Sequence, residues 1–233
     1  GDKVCVAMSG GKDSLLLAAL FEEYKIHYNK NIDVIYLMMN SGFKPEFLET
    51  HKKNIDKLGI NQITYDSKVY EVANKMNPKA PCFLCARMRR GFLYSKAEEL
   101  GCNKLALGHH FDDVIETTLM NMFYTGTFKT MLPKVKSKNY QGLELIRPMY
   151  LIKEKDITNF INYHDIKINH KGCLFQERET NTKRKEMKVL IDKLRNIYEN
   201  IDINIFHSAE NINLDSVLGY IKDDEKISYL DEY

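Results

Sequence analysis

Apolar and polar positions along this chain switch between a strand-like and a helix-like period, and the switches predict its elements. Lys3 to Met8 reads as a buried strand, and the leucine-rich run from Lys12 to about Tyr28 as the helix after it. Ile32 to Met39 is a second buried strand. Pro45 then starts a helix that runs to about Leu58 and closes at Gly59. Gln62 to Tyr65 is a shorter strand and Val69 to Met76 a short amphipathic helix. A long helix follows from about Cys82 to Leu100, stopped by Gly101. Lys104 to Leu107 is a strand again, and a helix runs from about Asp112 to Phe123. Strands and helices taking turns in this way predict an α/β fold, a doubly wound parallel sheet with helices on both faces.

The later chain is less regular. Pro133 to Tyr150 mixes Pro, Gly, Asn and Lys with short apolar runs, so it is expected to be a loop or hairpin rather than a helix. Lys153 to His164 and Glu177 to Glu199 read as helices. Beyond Asn200 the pattern weakens, and Asp223-Asp224-Glu225 with Asp231-Glu232 make an acidic, peripheral tail. There is no internal repeat and no low-complexity segment.

Composition narrows the class without naming a function. The 233 residues suffice for one substantial α/β core, and 44% hydrophobic with 28% charged residues is ordinary for a globular chain. Thirty-four Lys and Arg against 32 Asp and Glu leave +2, so any nucleic-acid surface has to be local. No apolar run approaches the roughly 18 residues that cross a bilayer. Gly1-Asp2-Lys3 leads directly into the first strand, so no signal peptide is expected. Five cysteines, an odd number, do not suggest a secreted disulfide scaffold, and a cytoplasmic location is expected. Cys5 and Cys102 lie beside strands and read as small core hydrophobes.

The strongest chemical signal is Ser9-Gly10-Gly11-Lys12-Asp13-Ser14, set between the first strand and its helix. Glycines let backbone amides approach an anion, and the helix start points further amides at it. Lys12 adds a point charge, and the hydroxyls of Ser9 and Ser14 can donate hydrogen bonds. Neither the mononucleotide G-x-x-x-x-G-K-[S/T] nor the dinucleotide G-x-G-x-x-G spacing is present. The second signal is Cys82-Phe83-Leu84-Cys85 followed by Arg87, Arg89 and Arg90, where a helix start and nearby arginines favour thiolates. Such a pair suits a redox couple, zinc or an iron–sulfur cluster. Cys173 stands in a loop after Asn169-His170-Lys171-Gly172. Three thiolates would hold three irons of a [4Fe–4S] cluster and leave the fourth open to sulfur. Zinc on Cys82, Cys85, Cys173 and a histidine such as His170 is the competing account. The third signal is Leu107-Gly108-His109-His110-Phe111-Asp112-Asp113, with paired carboxylates where open α/β sheets bind ligands. They suit the Mg²⁺ that accompanies ATP phosphates, or helix capping.

The six-residue loop resembles the PP-loop of the ATP pyrophosphatases, enzymes that adenylate their substrates. Taken together, SGGKDS at Ser9 to Ser14, CxLCxRxRRGxLY at Cys82 to Tyr94 and LGHHxDD at Leu107 to Asp113 resemble the tRNA 2-thiocytidine synthetases of that group. Asn121-Met122-Phe123-Tyr124, Gly126 and Cys173 match as well, and the likeness covers Val4 to about Leu194. The resemblance implies ATP bound by Ser9, Gly10, Gly11, Lys12, Asp13, Ser14, Met39, Gly108 and Asp113. It implies a [4Fe–4S] cluster on Cys82, Cys85 and Cys173, and a tRNA cytidine as substrate. Members of the family usually carry residues before the first strand that are missing here.

A mechanism using all three blocks converts the pyrimidine C2 oxygen into an adenylate and then replaces it with sulfur. Asp13 and Asp113 are candidates for organising metal and nucleotide, and Arg89 for neutralising the α-phosphate or the incoming sulfur. Arg87, Arg90, Lys183, Arg184, Lys185 and Lys188 are candidate tRNA phosphate contacts. Sulfide or a cysteine desulfurase would supply the sulfur, and a homodimer is expected from the resemblance alone. Residues 1–170 are expected to form the nucleotide-binding domain with the paired cysteines, and 171–233 a small helical extension with the third. Two rival readings stay open: a PP-loop ligase with structural zinc, and a nucleotide-binding redox sensor without turnover.

Overall fold

The computed structural model describes residues 1–28, 31–78, 81–169, 172 and 182–231. Its elements are β1 (Lys3–Met8), α1 (Lys12–His27), β2 (Asp33–Asn40), α2 (Pro45–Lys57), β3 (Gln62–Asp66), α3 (Val69–Met76), α4 (Pro81–Glu99) and β4 (Lys104–Ala106). They continue with α5 (Phe111–Thr125), β5 (Lys134–Lys136), β6 (Glu144–Ile146), α6 (Glu154–Tyr163), α7 (Thr182–Ile197), α8 (Ile201–Ser208), β7 (Gly219–Lys222) and β8 (Glu225–Ser228). Two compact units result: Gly1–Val114 with Leu132–Thr182, and Ile115–Met131 with Lys183–Tyr233.

The first unit holds a six-stranded sheet in the order β3-β2-β1-β4-β6-β5, parallel except for β5. Burial along β1 shows why its strands read as near-continuous apolar runs. Val4, Val6 and Met8 join Leu15, Leu17, Tyr36, Met38 and Ile157 on one face. Cys5 packs on the other face with Leu37, Ala97, Cys102 and Leu105. With both faces covered, neither side chain of the pleat can be polar. Cys5 and Cys102 are free buried thiols, as their place beside strands suggested. A hydrogen bond donated to Cys102, reinforced by burial, pushes the Cys5 thiol up, so it stays a neutral hydrophobe.

The segment from Pro133 to Tyr150 forms the hairpin that was one of its two expected forms, and that hairpin also extends the main sheet. β5 pairs antiparallel with β6, and β6 pairs parallel with β4. Glu144 anchors the junction, accepting from Lys104 Nζ at 2.7 Å and facing Lys134 Nζ at 3.0 Å. Three-residue strands are too short to carry a period, so their sheet partners were invisible in the sequence.

The second unit contains the later part of α5, then α7, α8 and a two-stranded hairpin, β7 with β8. Arg184 faces Glu116 at 3.4 Å and donates to Thr117, joining α7 to α5 within this unit. Arg195 faces the buried Asp202 at 3.4 Å and ties α7 to α8. The expected helix from Glu177 to Glu199 is seen as Thr182–Ile197, residues 177–181 lying outside the described residues. The tail is not wholly helical. Asp223 (φ 51°) and Asp224 (φ 66°) turn the β7–β8 hairpin, since two successive positive φ angles match the right-handed strand twist. Among the described residues, no helix is long and apolar enough to cross a membrane.

Candidate active site

Strand order locates the site before any side chain does. From β1 the sheet grows through β2 and β3 on one side, and from β4 through β6 and β5 on the other. The crevice outside the carboxyl ends of β1 and β4 is therefore the switch point where such sheets bind ligands. β1 runs into Ser9 to Asp13, and β4 into Leu107 to His110.

The loop after β1 is built by its own hydroxyls. Ser14 Oγ donates to the Gly11 carbonyl at 3.0 Å and accepts from the Ser9 amide at 3.2 Å. Ser9 Oγ donates to Ser14 Oγ at 3.1 Å and accepts from the Gly11 amide at 3.3 Å. These serines thus shape the turn: each spends its one O–H inside the loop and not, as expected, on an anion. Gly10 has φ +78°, and a Cβ there would run into the Phe47 ring. A Gly10→Ala protein is expected to lose about 1–3 kcal/mol of stability from left-handed strain and overpacking. Its ATP affinity, measured calorimetrically, should fall at least about tenfold; wild-type affinity would show that the loop tolerates displacement.

Lys12 opens α1 between two carboxylates, 2.7 Å from Asp13 Oδ1 and 3.2 Å from Glu154 Oε1. Burial alone would depress its pKa, but the hydrogen bond and charge of Asp13, then Glu154, raise it above the ordinary lysine value. Lys12 is thus a fixed cation at the mouth of the loop. Glu154 starts α6, far from the motifs, and nothing in its local pattern marked it.

The β4 end packs against this loop. A Cβ on Gly108 would sit 3.1 Å from the Asp13 carbonyl carbon, so only glycine lets the two backbones approach so closely. His110 is buried, its Nε2 3.7 Å from Asp13 Oδ1 and 3.4 Å from Asp113 Oδ2. Asp13 and Asp113 therefore converge on one imidazole. Asp113 Oδ2 also accepts the His110 amide at 3.1 Å, the back-reaching half of a capping box. Asp112 serves a different helix. Its Oδ2 accepts the Glu154 amide at 2.7 Å, capping α6 from outside. An Asp112→Ala protein should lose about 1–2 kcal/mol in denaturant unfolding. It would also loosen Glu154, the second partner of Lys12. A midpoint unchanged from the native protein would show the cap to be dispensable.

A cavity of about 350 Å³ joins these parts, lined by Ser9, Gly11, Lys12 and Asp13 of the loop, Phe43 and Phe47, Arg89, and Ile168, Asn169 and Gly172. Arg89 lies on α4, one turn beyond Cys85. Cys82 and Cys85 sit three residues apart in the first turn of α4, on one side of the helix and half-buried. Gly172 fixes the other wall. Its carbonyl accepts the Lys44 amide at 3.0 Å, and a Cβ on it would lie 2.7 Å from Phe47. Cys173, with His170, lies outside the described residues. Among the described residues no group of three His, Cys, Asp or Glu side chains is arranged to hold a metal ion.

The remaining candidates divide by unit. Met39 is buried at the end of β2, so its side chain is closed to a ligand and only its backbone remains for one. Arg87 and Arg90 are exposed on α4 in the first unit. In the second unit, Lys183, Lys185 and Lys188 are exposed on α7, Lys183 lying over the Tyr124 ring at 4.8 Å. Arg184 is half-buried and engaged by Glu116 and Thr117. Residues without a distinct sequence signal also join the first unit's site: Phe43, Phe47 and Glu154. His110 was visible in its motif, but its burial between carboxylates was not.

With the geometry established, three comparisons place the chain among known proteins. A family model described as a PP-loop domain matches residues 1–191. The tRNA-cytidine(32) 2-sulfurtransferase of Tolumonas auensis is 33% identical over 217 residues, covering 91% of this chain and 70% of that relative. The enzyme of the same name from Syntrophotalea carbinolica is 36% identical over 198 residues, covering 83% of this chain and 75% of its own. Among solved structures, the U34-tRNA thiolase NcsA from Methanococcus maripaludis with its [4Fe–4S] cluster superposes with a TM-score of 0.74 at 25% identity. That match covers 90% of this chain and 71% of the thiolase.

Proposed function

The chain belongs to the PP-loop family of tRNA-cytidine 2-sulfurtransferases, and from that premise we propose that it exchanges the C2 oxygen of a tRNA cytidine for sulfur at the expense of ATP. Adenylation and sulfur insertion would share one crevice. The observation that carries this reading is the single cavity bordered by Lys12 and Asp13, by Arg89 one turn from Cys85, and by Gly172, the residue before Cys173.

The first step forms a bond from the cytidine C2 oxygen to the α-phosphorus of ATP and breaks the bond to the β-phosphate oxygen. Pyrophosphate leaves into the Ser9–Ser14 loop, where Lys12 meets the charge that develops on it. A preorganised cation of this kind contributes roughly 10²–10³ in rate. Asp13 and Asp113 suit Mg²⁺ because their carboxylates converge beside His110. Arg89 is placed to neutralise the α-phosphate. Sulfide then adds at C2 while AMP departs with the oxygen; a cysteine desulfurase would serve as its source only with a thiol reductant that releases sulfide from the desulfurase persulfide.

The donor set fits a cluster with one open iron. Cys82 and Cys85 present two thiols from one helical turn beside Arg87 and Arg89, a setting that favours thiolates. Gly172 brings the chain to the same cavity one residue before the third cysteine. The [4Fe–4S] cluster in the thiolase structure supports iron over zinc. When bound by Cys82, Cys85 and Cys173, such a cluster supplies a site where sulfide is held as a nucleophile.

Anaerobic purification followed by metal and sulfide analysis tests the cofactor. A brown protein with close to four irons and four acid-labile sulfides per chain is expected; a colourless protein with one zinc would favour an adenylating ligase instead.

A further inference from the structure

Arg147 was no candidate in the sequence, yet it stands at the same end of the sheet. It follows β6 directly, beside the loop that carries His109 and His110. Its Nε donates to His109 Nδ1 at 3.3 Å and its Nη1 donates to the Leu132 carbonyl. Both acceptors are neutral, the imidazole because its Nδ1 must keep a lone pair to accept. Among the described residues no carboxylate lies within ion-pair distance of Arg147. Its charged neighbour of the same sign is Arg90, one helical turn before Tyr94 on α4.

A half-buried guanidinium whose hydrogen bonds go to an imidazole and a carbonyl, with no carboxylate in ion-pair distance among the described residues, keeps a positive charge for an anion to meet. Burial pushes the Arg147 pKa down, Arg90 adds to that push, and Tyr94, Tyr150 and Asp113 oppose it. Nε and Nη1 are spent on these two acceptors, and a planar guanidinium with five N–H donors has others that suit phosphate oxygens. Tyr94 and Tyr140, stacked at 5.4 Å between centroids, stiffen the surrounding wall, and Tyr140 Oη donates to the Gly91 carbonyl.

We propose that Arg147 and Arg90 form a phosphate site that takes a backbone phosphate of the RNA beside the reacting pyrimidine. This rests on the tRNA reading above. Phosphoryl oxygens could also come from ATP, and RNA is favoured because Arg90 is exposed whereas the nucleotide loop has its own cation in Lys12. In the same position Arg147 holds the His109 ring, so that one side chain links the substrate phosphate to the β4-end motif.

The test uses the full chain, prepared anaerobically, and unmodified tRNA whose binding is followed by fluorescence anisotropy from 50 to 200 mM NaCl, with ATP affinity measured in parallel. Arg147→Met should weaken tRNA binding about tenfold and lower the salt slope by about 0.7–0.9, one phosphate's worth. Arg147→Lys should keep the slope and lose part of the affinity, because it keeps the charge without the fork. Arg90→Ala, a change at an exposed position that the fold tolerates, should also lower the slope by about 0.7–0.9, and it decides the matter if Arg147→Met does not fold. ATP affinity should be unchanged in all three. Wild-type slope and affinity in folded Arg147→Met, or in Arg90→Ala where that variant decides, would overturn the site. So would a loss confined to ATP, which would assign the phosphate to the nucleotide. A native chain that binds no tRNA would instead sink the substrate reading itself.

Discussion

An Asp13→Ala protein is expected to form AMP and pyrophosphate at least about 10²–10³ times more slowly than the native chain. Two contacts give the reason. Asp13 Oδ1 lies 2.7 Å from Lys12 Nζ and 3.7 Å from His110 Nε2, so one carboxylate positions the loop's cation and shares the Nε2 side of the imidazole with Asp113. Without it, Lys12 is left, among the described residues, with Glu154, 3.2 Å away on α6, and is drawn from the phosphates towards that residue. Asp13→Asn separates the two roles. Its amide oxygen can still accept from Lys12, but its lost charge weakens any hold on Mg²⁺. If Asn restores the rate, positioning of Lys12 is what matters; if Asn fails like Ala, the negative charge is required. Unchanged pyrophosphate release in Asp13→Ala would remove Asp13 from the reaction.

The second large effect is expected at the cysteines. Cys82→Ser, Cys85→Ser and Cys173→Ser should each lose the visible absorbance of the cluster, together with thiolation by at least about a hundredfold, while ATP affinity stays within about twofold. The split follows from the structure. Cys82 and Cys85 belong to the first turn of α4, and the nucleotide loop is held by Ser9, Ser14, Gly11 and Lys12 through contacts that do not involve α4. Serine is close in size, so packing is kept and only the soft ligand is lost. Normal thiolation by Cys173→Ser would rule out three-thiolate ligation. A serine variant that also loses ATP binding would mean the cysteines hold the fold together.

Much of this arrangement was legible in the sequence, for physical reasons that differ by element. β1 and β2 are covered on both faces, so their apolar runs were unmistakable, and Gly59 and Gly101 end their helices with positive φ angles of 67° and 70°. The loop motif and the motif after β4 were legible because glycine at Gly10 and Gly108 is imposed by contacts with Phe47 and with the Asp13 backbone, respectively. What escaped was long-range. Glu154 reaches Lys12 from a helix about 140 positions away, and no period or motif encodes that meeting. Asp112 and Asp113 read as an equivalent pair, yet one caps α6 and the other closes the start of its own helix. The β7–β8 hairpin was missed although Asp223-Asp224 is a turn signal, since its four-residue strands are largely exposed and carry no alternating pattern. Arg147 was passed over because a single arginine after a short strand carries no motif.

The central claim is that one crevice couples nucleotide cleavage to sulfur insertion at a single pyrimidine. It is tested most directly by incubating the anaerobically reconstituted chain with ATP, sulfide and unmodified tRNA, then quantifying AMP and thiolated nucleosides in the same quenched samples by mass spectrometry. The account predicts 2-thiocytidine rising in step with AMP, one for one, and neither product in Asp13→Ala. Steady AMP release with no sulfur in the RNA, or 2-thiocytidine formed without AMP, would contradict it.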